Sequence, residues 1–503
     1  MNLKDIKVIV GLSGGVDSSV AALLLKQAGF SVKGVYMKCY WSYEGCQSDL
    51  DRVSAARVAS VLNIPFEVWD FEKEYRKIVV DYFYEEYKRG VTPNPDVVCN
   101  REIKFGLFLK KALGYLGDFG NLGAQNGERI YIATGHYARV GIGARGKGLG
   151  ARDEGAPVYF PKFSQYEEVC DSEGIRYVDI KEYLGYLGAL GRNELGNLGI
   201  LGNLRLFGGV DGKKDQSYFL YDIPKTAYEH VLYPLGNLTK TQVRVMAKEA
   251  GLPNADRPDS SGICFIGEVN IEKFLKERIG EHEGNVVTKS GQVIGRHKGI
   301  EFYTIGQRHG FTIASSELNA KRLTLNANSE PWYVISKNVE RNELTVGMGE
   351  ECKREAFTVQ LTNDREHMTY NKLQMVDEGH ASWVSGEMYV RVRNLGEIIP
   401  CQVETDLEAG PAGSSSRPTS SPPATAVALG GSGRSSGTPS ASATRPETFP
   451  PFDSGSCLEV KLSYPVFGIA PGQSAVFYKR MTNDKSLMTN NFVWEVVGGG
   501  VIA

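Results

Sequence analysis

The sequence predicts an α/β domain built on a doubly wound parallel sheet, followed by a half made of short strands. Three observations carry this reading. Strand and helix patterns alternate over the first hundred residues. Beyond residue 270 the pattern turns all-β, with turn residues between short apolar runs. Near the start, the strand Val8-Ile9-Val10-Gly11-Leu12 passes through a Gly-rich turn into an amphipathic helix marked by Val20, Leu23 and Leu24, with Gly29 just past its end.

The remaining elements follow in order. Val32-Lys33-Gly34-Val35-Tyr36-Met37 reads as the second strand, and Ala55, Val58, Ala59 and Leu62 mark a helix. Phe66-Glu67-Val68-Trp69 is a strand, and Tyr82, Phe83 and Tyr87 lie on the next helix. Ile130-Tyr131-Ile132-Ala133-Thr134 is a strand that ends in a loop at Gly135-His136. Ligands sit at the C-terminal strand ends of such sheets. The Ser13-Gly14-Gly15 turn and Gly135-His136 both lie at such ends. The β half begins with Asn285-Val286-Val287-Thr288, Pro331-Trp332-Tyr333-Val334-Ile335 and Glu343-Leu344-Thr345-Val346-Gly347. It continues with Met388-Tyr389-Val390-Arg391-Val392-Arg393, Leu458-Glu459-Val460-Lys461-Leu462 and Gln473-Ser474-Ala475-Val476-Phe477-Tyr478.

Two segments look inserted. Residues 141–212 are rich in Gly and Leu and carry an imperfect repeat, Leu184-Gly185-Tyr186-Leu187-Gly188 and Leu195-Gly196-Asn197-Leu198-Gly199. So much Gly argues against stable helix, and the stretch reads as a flexible insert. A milder version covers 116–127. Residues 408–456 are mostly Ser, Pro, Gly, Ala and Thr. Such a segment buries too little to order itself and reads as a disordered loop.

At 503 residues the chain has room for about three domains. A net charge of −2 does not advertise a nucleic-acid binder, though a local basic face would suffice. Eight cysteines in this length, with no C-x-x-C pair, suit a reducing compartment and not a disulfide or structural zinc scaffold. Cys39 and Cys46 are too far apart for a zinc knuckle and read as small apolar filler. No run approaches ~18 apolar residues, so no membrane span is expected. The first strand follows Met1 almost at once, which leaves no room for a targeting segment. The expected location is the cytoplasm, or an organellar matrix if a leader has been removed.

The run Ser13-Gly14-Gly15-Val16-Asp17-Ser18-Ser19 carries the first chemistry. A strand feeding a helix through glycines aims backbone N–H groups and a positive helix end at one spot, which suits phosphate. Ser13, Ser18 and Ser19 add hydroxyl donors. The loop lacks the Lys of a Walker loop and the spacing of a dinucleotide fingerprint. Ser-Gly-Gly alone could be a mere helix cap; the Asp, the added serines and the preceding strand favour anion binding.

Two cysteines carry the second. In Thr92-Pro93-Asn94-Pro95-Asp96-Val97-Val98-Cys99-Asn100, two prolines predict a rigid, non-helical approach to a helix through Phe105, Leu109 and Leu113. Cys99 would then sit at a helix N-terminus, where a thiol pKa falls. Cys264, between Gly262 and Gly267, precedes a helix near Ile271. In isolation each reads as a packed cysteine. Two cysteines before helices, beside a phosphate-type loop, suggest sulfur transfer through persulfide or disulfide states.

The pattern S-G-G-x-D-S resembles the loop of ATP pyrophosphatases, which cleave ATP between its α- and β-phosphates. Further motifs narrow this. Gly11–Ser18, Asn94–Asn100, Ile132–Tyr137, Lys214-Asp215-Gln216-Ser217-Tyr218-Phe219-Leu220 and Gly262-Ile263-Cys264-Phe265-Ile266-Gly267 together resemble the tRNA-specific 2-thiouridylases. So do Tyr303-Thr304-Ile305-Gly306-Gln307-Arg308 and the run from Pro471 to Tyr478. The motifs stand in the family's order and cover nearly all of the chain outside the inserts.

The resemblance implies an architecture. A parallel-sheet PP-loop ATP pyrophosphatase (adenine nucleotide alpha hydrolase-like) domain would span residues 1–270. A small central β-rich adaptor domain would span 271–350, and a C-terminal β-barrel 351–503. It also implies a reaction. Gly11, Leu12, Ser13, Gly14, Gly15, Val16, Asp17 and Ser18 would bind ATP, with Met37 and Gly135 near the adenosine and Mg²⁺ bridging phosphates. A tRNA wobble uridine, flipped out, would be held by Asn94, Pro95 and Asp96. Its C2 oxygen would be adenylated. Cys264 would carry a persulfide delivered by a sulfur carrier or a cysteine desulfurase relay. Cys99 would resolve it, with Asp96 as acid/base. His136, Lys214, Asp215, Gln216, Arg393, Asn394 and Gln473 lie where the family contacts tRNA. The family often has Arg-Tyr at Arg393-Asn394, so a stacking contact is missing there. The chain is expected to act as a monomer. Two other readings compete. An amide-forming adenylating enzyme would need no paired cysteines. A non-catalytic RNA-binding protein would need neither the intact loop nor the thiols.

Overall fold

The alternating patterns of the first half fold into one parallel sheet in the computed structural model, which describes residues 2–39, 47–114, 129–143, 158–163, 175–190, 204–259, 262, 264, 271–314, 331–362, 388–405, 457–481 and 493–503. The strands are β1 (Ile6–Gly11), β2 (Ser31–Lys38), β3 (Phe66–Asp70), β4 (Arg129–Ala133) and the short Val231–Leu232. Their order is β3-β2-β1-β4 and then Val231–Leu232, with every pairing parallel. The chain leaves β1 in one direction for β2 and β3, then returns to β1's other side for β4. That reversal opens a crevice at the C-terminal ends of β1 and β4.

Burial explains the helices. Val16–Gln27 presents Val16, Val20, Leu23 and Leu24 to the sheet, and its chain turns away at Gly29. Lys240–Glu249 starts at a capping box, in which Thr239 N donates to Gln242 Oε1 at 2.7 Å and Gln242 N donates to Thr239 Oγ1 at 3.3 Å. Val243, Met246 and Ala247 then pack into the core beside the first helix.

The Gly- and Leu-rich stretch departs from expectation. Among its described residues are β5 (Ala138–Gly143), β6 (Val158–Lys162), β7 (Ile175–Asp179), a helix at Ile180–Leu190 and β8 (Leu204–Gly208). The first repeat motif lies inside that helix. Ile180, Tyr183, Leu184 and Leu187 recur at helical spacing and join the core of the parallel sheet. Tyr183 donates its hydroxyl to Val140 O at 2.9 Å. Gly185 lies on the exposed side, so its low propensity is outweighed by the buried face. The second repeat motif, the 116–127 stretch and the segment 408–456 lie outside the described residues.

The strand-rich half forms two further sheets. The central one is five-stranded, in the order Thr312–Ile313, Val293–His297, Gly284–Val287, Glu343–Gly347, Tyr333–Asn338. The last one is a closed six-stranded barrel. Its order is Lys353–Leu361, Cys457–Phe467, Ile399–Thr405, Met388–Arg391, Ser474–Arg480, Trp494–Ile502, and the last strand pairs back onto the first. Trp494–Ile502 also pairs with β8, through Glu495 opposite Phe207 and Val496 opposite Leu206. The barrel and the β8-β5-β6-β7 ribbon are therefore one hydrogen-bonded sheet. No helix among the described residues is long and apolar enough to cross a membrane.

Helix Ile180–Leu190 gives a paired stability test. Leu184→Ala, at a fully buried position, should cost about 2–5 kcal/mol. Gly185→Ala, whose new methyl meets nothing within 4 Å, should be neutral or stabilise by up to about 1 kcal/mol. Denaturant unfolding of the two variants measures both.

Candidate functional site

Two sites lie at the crevice. The first is the loop after β1. Gly15 is the N-cap of helix Val16–Gln27 and makes no side-chain cap bond, so the first-turn N–H groups are left for an anion. Hydroxyls shape the loop. Ser18 Oγ accepts from Ser13 N at 3.1 Å, and Ser18 Oγ and Ser19 Oγ donate to Gly15 O at 3.2 and 2.8 Å. Gly14 O accepts from Ser54 Oγ at 2.8 Å, Asn254 Nδ2 at 2.9 Å and Arg257 Nη1 at 3.1 Å. Gly14 has φ +81°, and a Cβ there would lie 2.3 Å from Asp51 O, so only glycine fits.

Met37 and Gly135 close on this loop. A Cβ on Gly11 would meet Met37 Cε at 3.0 Å, and one on Gly135 would lie 2.6 Å from Ser18 N. Gly135 thus lets the β4 loop touch the helix start. Asp17 is partly exposed and held by two partners. Its Oδ1 accepts from Tyr137 Oη at 2.7 Å and from Lys240 Nζ at 2.6 Å. Lys240 also pairs with Asp259 at 2.8 Å.

The second site holds the thiols. Cys99 Sγ and Cys264 Sγ are 3.9 Å apart, and both cysteines are free. Cys264 is held at its backbone. Its N–H donates to Asp96 Oδ1 at 2.9 Å, and its carbonyl accepts from Tyr75 Oη at 2.6 Å. Cys39, just past the end of β2, is buried in the same apolar cluster as Cys99, as expected of filler. Cys46 lies outside the described residues.

The surroundings of Cys99 correct the sequence reading. The helix begins at Pro95, with Asn94 as N-cap accepting from Val97 N at 3.4 Å. Pro95 fits the first turn because its missing N–H is not needed there. Cys99 therefore lies inside a helix, at the start of the π-helical stretch Cys99–Phe108, and not at an N-terminus. It is fully buried, and burial pushes its thiol well above the ordinary range. Cys264 is the acidic thiol. The hydrogen bond from Cys99 lowers it most, against burial, and the ammonium of Lys104 adds to the effect.

Lys104 and His136 complete this site, and sequence reasoning missed the first of them. The wide π winding turns Lys104 toward the face that carries Cys99. Lys104 hydrogen-bonds Cys264 and lies 3.5 Å from His136 Nε2. Burial, with Lys104 adding, depresses His136 well below its usual range, so the ring is neutral. A neutral ring that accepts from Lys104 at Nε2 donates from Nδ1 to Thr134 Oγ1, 2.8 Å away. Burial also raises the Asp96 carboxyl.

Several residues expected at an RNA surface lie elsewhere. His136 and Asp215 are buried. Asp215 accepts from Gly209 N, Ser217 N, Ser217 Oγ and Arg391 Nη1, so its carboxylate is consumed inside the protein. Gln216 Oε1 accepts from Tyr137 N at 3.0 Å, and Gln473 Oε1 accepts from Ala470 N at 3.2 Å. Lys214 pairs with Asp259 at 2.5 Å. Asn94 Nδ2 reaches Ser474 Oγ at 3.5 Å, and Pro95 is buried. Arg393 is exposed and donates to the carbonyls of Phe467 and Gly468; Asn394 is exposed beside it.

Comparison with known proteins bears on these sites. Residues 6–153 and 198–268 match the family described as the tRNA methyl transferase HUP domain. Residues 272–348 match the tRNA methyl transferase PRC-barrel domain, and 452–502 the aminomethyltransferase beta-barrel domain. The first match passes over β6, β7 and helix Ile180–Leu190. The chain is similar to the tRNA-specific 2-thiouridylase MnmA of Lysinibacillus sphaericus, 38% identical over 69% of this chain and 72% of the relative. The enzymes of that name from Bacillus subtilis and Nitrosomonas europaea are each 38% identical over 69% of this chain, covering 72% and 75% of their own lengths. A solved NMN synthetase from Francisella tularensis aligns at a TM-score of 0.23 and 15% identity over 51% of this chain and 66% of that one, too slight a likeness to argue from.

The thiol asymmetry is measurable. Alkylation of Cys264 by iodoacetamide should reach its half-maximal rate below the ordinary thiol pKa of about 8.5, and that of Cys99 above it. Lys104→Gln should move the Cys264 profile to higher pH, because the thiolate loses a cation. Equal profiles for the two cysteines would refute the assignment.

Proposed function

The chain belongs to the tRNA-specific 2-thiouridylase family, a tRNA-thiolating PP-loop enzyme, and we propose that its two sites run the two halves of one reaction. The loop from Gly11 to Ser18 binds ATP, with Met37 and Gly135 beside the adenosine. The C2 oxygen of the wobble uridine attacks the α-phosphate, pyrophosphate leaves, and C2 then carries AMP as a good leaving group. Asn94, Pro95 and Asp96 hold the flipped base, and the exposed Arg393 and Asn394 lie along the RNA path. Among the described residues, no group of three or more His, Cys, Asp or Glu could hold a metal ion. Mg²⁺ would come with the ATP phosphates, which supply most of its ligands and need only one or two protein carboxylates beside them.

Sulfur arrives as a persulfide on Cys264, handed over by a persulfide carrier or a cysteine desulfurase relay. Its acidic character suits it, since the persulfide anion is the nucleophile. The terminal sulfur bonds to C2 and AMP leaves. Cys99 then attacks the inner sulfur of Cys264, giving up its proton to the Asp96 carboxylate. The C2-bound sulfur departs with the electron pair as 2-thiouridine, and a Cys99–Cys264 disulfide remains. A cellular thiol reductant supplies the two electrons that restore both thiols. One observation supports joining the sites: adjacent residues Gly135 and His136 border them both, Gly135 at Ser18 and His136 at Lys104.

Nucleoside mass spectrometry of tRNA incubated with ATP and a persulfide donor tests this. Wild type should make 2-thiouridine. Cys264→Ser should still release pyrophosphate in the presence of tRNA but accept no labelled sulfur. Cys99→Ser should accept label and stall before product. Formation of 2-thiouridine by Cys264→Ser would overturn the roles of both cysteines.

A further inference from the structure

Beside the loop lies a charge cluster that neither half of this reaction uses. Asp259 Oδ1 pairs with Arg244 Nη2 at 2.5 Å and with Lys240 Nζ at 2.8 Å, and its Oδ2 pairs with Lys214 Nζ at 2.5 Å. Lys240 bridges onward to Asp17, in the first turn of helix Val16–Gln27, at 2.6 Å. Lys240 itself opens helix Lys240–Glu249, so two positive helix ends lie beside the same charges. One carboxylate thus gathers three cations at the edge of a loop built for an anion.

We propose that Lys214, Lys240 and Arg244 form a polyphosphate subsite and that Asp259 is its tethered competitor, an internal anion that the distal phosphates of a nucleoside triphosphate displace. This rests on the reading of the loop as an ATP site.

The cluster meets the requirements of such an exchange. The side chains of Asp259 and Lys214 are 35% and 36% exposed, so a ligand can reach them. The Lys214–Asp259 pair is exposed enough to contribute little, so it is the contact that opens most cheaply, while Lys240 and Arg244, 14% and 26% exposed, hold their charges at the site. Against a burial effect that would raise it, hydrogen bonds from Lys214 and Lys240 hold the Asp259 carboxyl well below the usual range, so it stays ionised as an anion in the empty site. Three cations face the carboxylates of Asp17 and Asp259, with the Asp211 carboxylate beside them on the Lys240 N–H at 2.9 Å, so the resting charges balance. Displacing one carboxylate leaves surplus positive charge that a diphosphate group neutralises better than a single carboxylate does. The family resemblance puts Lys214 at the RNA; its partner places it at the phosphates.

Equilibrium binding of ATP, and of inorganic pyrophosphate as a second probe, to the full-length protein tests the proposal. Asp259→Asn removes the competitor and keeps the side-chain shape. Both probes should bind about tenfold more tightly than to wild type at low salt, a gap that narrows as salt rises. Lys214→Gln in the Asp259→Asn background should take back part of the gain. Melting curves guard against misfolding: ATP should raise the melting temperature of Asp259→Asn more than that of wild type. Unchanged or weaker binding by a folded Asp259→Asn protein would overturn the competitor role, making Asp259 a strut or a positive contributor to the site. A wild-type protein that binds neither probe would instead remove the ATP reading itself, and this proposal with it.

Discussion

A buried ion pair, Asp215 with Arg391, fixes how the barrel sits against the parallel-sheet half. The two side chains are 4% and 6% exposed and meet at 2.8 Å. Such a pair is costly to bury where hydrogen-bonding capacity is left over, and here the Arg391 Nε is buried without a partner, so the Asp215 side carries the compensation. Asp215 finds it locally, with Gly209 N, Ser217 N and Ser217 Oγ. Arg391 lies on a barrel strand and stacks over the Tyr478 ring. The turn pinned by Asp215 places Gln216 to accept from Tyr137 N. Tyr137 in turn reaches Asp17. A short chain of contacts therefore runs from the barrel to the loop after β1, and loss of either charged partner would leave the other buried and unpaired.

Around that pair the interface combines a buried apolar cluster, in which Val97 and Tyr221 meet Tyr389 and Val476, with backbone and hydroxyl contacts. Tyr218 Oη donates to Ser474 O at 2.9 Å, Thr92 N donates to Pro471 O at 2.9 Å, and Thr92 and Thr304 hydroxyls meet at 3.1 Å. Thr92 thereby touches both the barrel and the central sheet, three residues before the helix that carries Asp96 and Cys99. The approach to the thiols is held by all three parts of the chain. This gives the proline-rich segment a physical reason for rigidity even though its second proline opens a helix.

Legibility in the sequence follows the distance over which each feature is encoded. The loop after β1 is readable because strand, glycines and helix are consecutive, and the structure needs Gly14 for a local reason, its φ and the nearness of Asp51. The barrel strands are readable from alternation. The helix at Ile180–Leu190 is hidden because glycine content is a local signal, whereas the burial of Tyr183, Leu184 and Leu187 depends on a sheet far away in sequence. The two thiols stand out in the sequence, but their ranking does not. An assumed helix start misjudges Cys99, whose burial comes from residues of several elements. Lys104 and Asp259 carry no local mark at all: a lysine in a helix and an aspartate in a loop read as solvated surface.

The ranking of the thiols follows from where each one gets its backbone. Cys99 belongs to a helix whose face is sealed by Phe105, Phe108 and Tyr75, so its charged form has no solvent and its proton is retained. Cys264 belongs to a turn at the rim. Its amide and carbonyl are anchored by Asp96 and Tyr75, while its sulfur faces two donors, Cys99 and Lys104. A buried neutral thiol beside a partly exposed, donor-rich one is an ordered pair. In the proposed reaction the half-buried Cys264 would take sulfur from outside, and burial would shield Cys99, 3.9 Å away, from the same donors. On that proposal the direction of sulfur flow would follow from burial, since the chemistry of the two side chains is otherwise identical.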